Sequence, residues 1–348
     1  MAKRKMTKRM KKRLHRKILK ITIALLTAIL LALLGYLFKD MLPTDSNTDN
    51  STTSGSSQNK PAGNGVDGRL EDIPSIDESG YLAVHYIDVG QGDSILITCN
   101  GEYMLIDAGE NGNGNTVIDY ITDLGITELD LVIATHAHSD HIGSMDEVLN
   151  AIPAEEVWYP EYRHDTKTET NFLNAATNCG ATIRQPDLGE TYDLGGSTVT
   201  VLGPVKCDYS TDDHYSDPND MSIIVMVQYG ENKFLFTGDL EKTDHAEGDM
   251  VDYWGADKLK ADVLKLGHHG SKTSTSYYFL RAVDPTYAVI SVGEGNKYGH
   301  PNQETMDILG DDDVLVYRTD AMGTIAAVSN GTQIKFYQDS NTSAYIPD

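Results

Sequence analysis

From Tyr81 onward the chain is a succession of short apolar runs closed by turn residues or by a polar group. They read YLAVHYIDV, SILITC, EYMLIDAG, DLVIATH and EEVWYP, then STVTVLGP, SIIVMVQYG, KFLFTGD, DVLKLGHHG, YAVISVG, VLVYRTD, TIAAVSN and QIKFYQ. Runs of this length, rich in Val and Ile, form strands, and helical periodicity is predicted near 115–124, 143–151, 168–178, 240–250, 274–282 and 302–309. Tight turns such as CNGE join the early strands and helices join the later ones, so the sheets must be mixed, with helices on their outer faces. That is a layered α/β arrangement rather than a doubly wound parallel sheet. A strand block, a helix and a histidine motif recur loosely in each half.

The chain ahead of this block is of another kind. Residues 1–20 hold 11 of the 28 Lys and Arg and no acid, leaving 17 basic against 52 acidic side chains in the rest. Residues 21–38, ITIALLTAILLALLGYLF, carry no charge and no proline; as a helix they would span roughly 27 Å of hydrocarbon. We read them as a transmembrane anchor. A cleaved secretory signal fits less well, because the run is long and KDMLPTD offers no small-x-small cleavage site. The basic excess places the N-terminus in the cytoplasm and everything after Phe38 outside. Residues 39–75, dominated by Ser, Thr, Asn, Asp and Gly, form a flexible linker to a globular domain over 76–340. Three cysteines, Cys99, Cys179 and Cys207, are too few for a disulfide framework, and no cysteine-based site is expected.

The polar groups able to do chemistry fall at the ends of the apolar runs. These are Asp88, Gln91 and Asp93 in IDVGQGDS, Asp107 in LIDAG, and His136, His138, Asp140 and His141 in THAHSDH. Asn219 and Asp220 follow in PNDMS, Asp239 in FTGD, His268, His269 and Ser271 in LGHHGS, and His300 in KYGHP. His136 and His138 are two apart, so in an extended segment they point to one side and can share an ion. Asp140 and His141 come where a helix starts, and that turn swings them toward a second position. Two ions follow naturally, one with two His and one with Asp and His, with Asp239 the best candidate to bridge them. Ligand-type side chains this dense at a strand end are a metal site rather than a solvated loop. In DVGQGDS, Asp88 either orients a ligand histidine through its second nitrogen or belongs to a structural turn. Ser271, Lys272 and Thr273 are positioned to open a helix and offer backbone N–H groups and a cation to an anionic oxygen. Carboxylate and imidazole donors without thiolates suit Zn²⁺, with Mn²⁺ the alternative.

H-x-H-x-D-H after a strand, with a later TGD and a terminal His, resembles the metallo-β-lactamase superfamily. More narrowly, IDVGQGDS, HSDHIG, NDMSIIV, FLFTGD, LKLGHHGSKTST and VISVGEGNKYGHP resemble the extracellular metallo-hydrolase domain of ComEC-type competence proteins, over about residues 82–330. The resemblance implies an αββα sandwich of two mixed sheets with a dinuclear site at one edge. It also implies His136, His138, Asp140, His141 and Asp239 as ligands, and His300 as the last ligand histidine. One of His268 and His269 is then a ligand or a proton donor; His269 is placed near the metal, and His268 with Asp140 among the catalytic groups. The superfamily's middle histidine has no counterpart before SIIVMV, where DPNDM stands, so Asn219, Asp220 or water fills that place. His214 falls in an acidic loop and reads as solvated. The multi-helix channel of those proteins has no counterpart in this sequence, which argues against a role in DNA transport.

Two ions, a bound hydroxide and no redox-active ligand set make a hydrolase, and the ComEC-like signature favours a phosphodiester over a lactam or thioester. The strongly acidic outer part repels a duplex, so no stable nucleic-acid partner is expected. Lys258, Lys260, Lys265 and Lys272 are the one local basic run. DNA and a cell-wall phosphodiester polymer both fit as substrates. A non-catalytic binding protein would have lost ligand residues, and the core positions are filled.

Overall fold

Most of the apolar runs form strands buried on both faces, which is why they show no in-out alternation. The structure is a computed structural model and describes residues 66–75, 79–162, 164–208 and 213–347. One sheet holds β1 (Leu82–Tyr86), β2 (Ile95–Cys99), β3 (Glu102–Ile106), β4 (Leu129–Ile133), β5 (Ala154–Trp158) and β6 (Thr182–Arg184). β16 (Ile325–Ser329) and β17 (Ile334–Gln338) extend it, in the order β17-β16-β1-β2-β3-β4-β5-β6. The second sheet holds β7 (Thr191–Leu194), β8 (Ser197–Gly203), β11 (Ile224–Tyr229), β12 (Asn232–Phe236), β13 (Val263–Lys265), β14 (Tyr287–Ile290) and β15 (Leu315–Arg318). Its order is β15-β14-β13-β12-β11-β8-β7, and β9 (Cys207–Asp208) with β10 (Asp213–His214) form a separate small pair. In both sheets, antiparallel hairpins come first and parallel strands follow once helices make the connections.

Alternate residues of each strand separate the layers. Ile97, Ile133 and Trp158 of the first sheet pack with Val225, Phe234, Phe236 and Val263 of the second in the central core. On the outer face of the first sheet, Leu105, Val132 and Val157 meet α1 (Gly114–Asp123), α3 (Met145–Ala151) and α4 (Lys167–Cys179) through Ile121, Leu149 and Phe172. On the outer face of the second, Leu235, Leu264 and Val316 meet α5 (Ala246–Trp254), α6 (Tyr277–Val283) and α7 (Gln303–Asp311) through Met250, Leu280 and Leu309. The result is the αββα layering that the resemblance implies. Helix ends follow local chemistry: Thr166 caps α4 by accepting from the Glu169 N–H at 3.1 Å, and Gly180 ends it in a left-handed turn.

Three differences from the sequence reading have physical causes. The helix expected over 240–250 runs instead over Ala246–Trp254, because 240–245 are tied down by side chains: Ser274 Oγ donates to the Leu240 carbonyl and the Glu241 N–H donates to Asp220. The short strands β6, β7, β9 and β10 were too brief to announce themselves by periodicity. The fold also reaches beyond 76–340 at both ends. Asp67 N–H donates to the Phe336 carbonyl at 2.7 Å, and Tyr345 exchanges backbone hydrogen bonds with Val316 at 2.8 and 3.2 Å. Residues 66–75, counted with the linker, therefore partly extend the first sheet. The basic segment 1–20, the anchor 21–38 and most of the linker lie outside the described residues. Among the described residues, no helix is long and apolar enough to cross a membrane.

Candidate metal centre

The ends of β1, β3, β4, β12, β13 and β14 converge on one edge of the sandwich, where a cleft of about 620 Å³ opens. Asp239 stands at its base, buried, one residue after Gly238. Gly238 has φ +51°, and a Cβ there would approach Ser222 Oγ to 2.8 Å, so only glycine lets the chain turn the carboxylate into the cleft.

The two oxygens of Asp239 face different side chains. Oδ1 lies 3.2 Å from His141 Nε2 and 3.7 Å from His269 Nε2. Oδ2 lies 3.9 Å from His136 Nε2 and 3.7 Å from His268 Nε2. Asp140 joins the first group, with Oδ2 3.4 Å from His269 Nε2. His138 joins the second, with Nδ1 3.0 Å from His136 Nε2. The short helix α2 (Ser139–Ile142) begins directly after His138, and that change of direction carries Asp140 and His141 away from the His136–His138 side.

Three of the imidazoles are held from behind. His141 Nδ1 meets Asp107 Oδ2 at 2.8 Å, and Asp107 in turn accepts from the Thr135 N–H at 2.8 Å and its hydroxyl at 2.6 Å. His269 Nδ1 lies 3.0 Å from the Ser291 carbonyl and 3.4 Å from Asp93 Oδ1, itself paired with Lys265 at 2.8 Å. His268 Nδ1 is 2.8 Å from Glu241. Asp107, His268 and His269 all have positive φ, at 56°, 47° and 53°, a conformation kept only where surroundings enforce it.

The charges are mutually dependent. Burial lowers the His141 pKa, but Asp239 and Asp107 override it and hold it well above the usual imidazole value; burial raises Asp239, but His141, His269 and His268 override it and hold it well below the usual carboxylate range. Burial likewise lowers His269, and Asp239, Asp140 and Asp93 raise it to about 9. His136, buried and beside His141, is driven the other way, well below 6.5.

This donor set fits divalent cations. His141 Nε2, Asp239 Oδ1 and His269 Nε2 are buried without a hydrogen-bond partner, an arrangement that is costly unless an ion engages them. Asp140, His141, Asp239 and His269 offer ligand atoms that all lie within 4.8 Å of one another. Every donor is oxygen or imidazole nitrogen, suited to Zn²⁺ or Mn²⁺.

Of the residues singled out in the sequence, His136, His138, Asp140, His141, Asp239, His268 and His269 are brought together. His300 stands next to them, its Nδ1 buried without a hydrogen-bond partner. It lines the cleft beside Tyr298, its ring 5.6 Å from that of His268, with its backbone clamped by Asn296. His269 stands beside Asp140 and Asp239 at the base of the cleft. Asp88 is a turn residue: its carboxylate accepts from the Gly90 N–H at 3.1 Å, and the orienting role considered for it belongs to Asp107 and Asp93. Asn219 lines the cleft and donates to Glu241, whereas Asp220 is turned away to accept from the Glu241 N–H. Ser271 and Lys272 are not among the cleft-lining residues. The next helix starts at Tyr277 rather than at Ser271, the Lys272 N–H donates to Asn302, and its side chain is exposed.

Sequence reasoning gave no role to Asp107, Glu241 or His164. Asp107 ends an apolar run like the other site residues, and Glu241 stands two positions after Asp239. His164, whose ring lies 5.5 Å from that of His138, follows the EEVWYP run and lines the cleft. The strand-end criterion names Asp107 without giving it a role, and it would have added Glu241 and His164.

Comparison with known proteins places these features in context. A family model described as the Metallo-beta-lactamase superfamily matches residues 87–294. ComE operon protein 3 of Bacillus subtilis is 32% identical over 260 residues, covering 70% of this chain and 32% of that protein. Recombination protein 2 of Haemophilus influenzae is 30% identical over 261 residues, covering 74% of this chain and 29% of that protein. Competence protein ComA of Neisseria gonorrhoeae is 30% identical over 244 residues, covering 70% and 32%. The chain thus spans about a third of the length of the curated relatives it matches. Among solved structures, the metallo-beta-lactamase fold protein YhfI from Bacillus subtilis aligns with 72% of this chain and 99% of its own, at 13% identity and a TM-score of 0.48.

Proposed function

The chain belongs to the metallo-beta-lactamase superfamily, and from that premise we propose that it is a two-metal phosphodiesterase, anchored by residues 21–38 with its cleft outside the membrane. The observation that carries this reading is the division of Asp239, with one oxygen toward His141 and His269 and the other toward His136 and His268. Asp239, with these histidines around it, would hold two cations, which would supply an activated water and neutralise charge on a phosphoryl group.

The protein's own residues supply the rest. Asp107 fixes the His141 ring so that Nε2 faces the cleft, and Ser291 with Asp93 does the same for His269. Gln91, Asn111 and Asn219 place neutral amides around the cleft, and Thr166 and Thr168 add hydroxyls. These groups hydrogen-bond ester oxygens without adding charge. The likeness to Recombination protein 2 and Competence protein ComA favours a nucleic-acid strand as substrate, with a wall phosphodiester as the alternative.

The test is a panel assay of the full-length chain loaded with Mn²⁺ or Zn²⁺, on bis-p-nitrophenyl phosphate, single-stranded DNA, a teichoic-acid-type polymer and nitrocefin. Turnover of the phosphodiesters is expected, and the DNA and polymer arms identify the natural class. Turnover of nitrocefin alone would overturn the phosphodiesterase reading in favour of lactam hydrolysis.

A further inference from the structure

The donors around Asp239 are uneven. On the Oδ1 side, Asp140, His141 and His269 form a full set. On the Oδ2 side, His136 and His138 come from one strand end, and the segment before β11 sends no histidine to join them: Asp220 Oδ1 accepts from the Glu241 N–H and Asn219 Nδ2 donates to the Glu241 carboxylate. The side chain that does approach Oδ2 from across the cleft is His268, at 3.7 Å.

We propose that His268 is a metal ligand in its own right, completing with His136, His138 and Asp239 Oδ2 the coordination of the first ion, rather than one of the catalytic groups among which the sequence placed it. This rests on the two-metal reading above. Three features converge on it. Glu241 holds His268 Nδ1 at 2.8 Å, which leaves Nε2 as the free donor aimed at the Asp239 side. Glu241 is itself immobilised, accepting from Thr273 Oγ1 at 2.7 Å, Thr243 Oγ1 at 2.8 Å and Asn219 Nδ2 at 3.3 Å. Carboxylate-held imidazoles of this kind are the usual support of a metal-bound histidine. Finally, His268 and His269 occupy consecutive left-handed backbone positions. In an extended strand, neighbours point to opposite faces; two left-handed residues in succession instead bring both rings to the same carboxylate, one to each oxygen. A surface proton donor has no need of that strain.

Metal stoichiometry tests the assignment. The full-length chain is stripped with chelator, titrated with Zn²⁺ and with Co²⁺, and its bound ions counted by mass spectrometry of the desalted protein. The wild-type chain should take up two ions, and His268→Ala one. Glu241→Ala should weaken one of the two sites by about 10–100-fold while leaving the other unchanged. In His268→Cys, Co²⁺ should restore the second ion and add a thiolate-to-metal charge-transfer band in the near ultraviolet, a signature that a merely structural histidine would not give. Two ions bound to His268→Ala at wild-type affinity, or two Co²⁺ in His268→Cys without that band, would overturn the proposal. A wild-type chain that binds both ions and cleaves no phosphodiester overturns the phosphodiesterase reading and leaves this assignment standing.

Discussion

Asp239 is the residue on which both halves of the site depend, because no other side chain among the described residues faces His136, His141, His268 and His269 together. Asp239→Asn keeps the shape and removes the charge, and should abolish uptake of both ions, measured by metal content. Asp107→Asn acts one step further out. Its loss should lower metal affinity or turnover by about 10–100-fold, less than Asp239→Asn, with the deficit visible in metal titrations as well as in kcat. At this scale the sequence was informative about residue types and poor about partners. The ligand histidines stood out because so many donors crowded into six positions after a strand. Asp107, Asp93 and Glu241 carry the same chemistry, but their roles arise from contacts with residues 34, 176 and 27 positions away, and no local pattern records those.

At the scale of elements, long strands buried on both faces were legible from their apolar runs, and the six main helices from their spacing. What failed was short or tied to the site, as with β6, β7 and the displaced start of α5. β13 carries the least expected feature, a lysine 1% exposed in a buried strand. Lys265 pairs with Asp93 at 2.8 Å and also donates to the Leu266 carbonyl at 3.0 Å. Lys265→Met strands the Asp93 charge and should destabilise the fold by about 3–5 kcal/mol, with most of the loss recovered in Lys265→Met/Asp93→Asn, both read from denaturant melts. β1 contributes a pH dependence independent of the cleft. His85 is buried against Tyr120, and burial lowers its pKa to about 4. Between about 6.5 and 4 the unfolded chain takes up a proton that the folded chain refuses. Stability therefore falls as pH drops through that window, by up to about 1.4 kcal/mol per unit. His85→Gln should flatten that slope, as measured by urea midpoints across the range.

For the molecule as a whole, the layered architecture could be read from the order of turns and helices along the sequence, whereas the packing of 66–75 and 344–347 against the sheets could not, since those residues carry no strand pattern of their own. The net charge of −24 also acts at this scale. An acidic body repels a polyanionic substrate everywhere except near bound cations. Raising ionic strength should accordingly lower KM for single-stranded DNA at saturating metal, the opposite of an enzyme that grips phosphates with lysine and arginine. A KM that rises steeply with salt would point to a basic surface that this account does not contain. Whether Asp239 divides its oxygens between two cations is decided by anomalous diffraction from crystals of the chain grown with Mn²⁺ or Zn²⁺. Two peaks about 3.5–4 Å apart, one on either side of the Asp239 carboxylate, are expected. A single peak, or two that do not flank Asp239, would contradict that division.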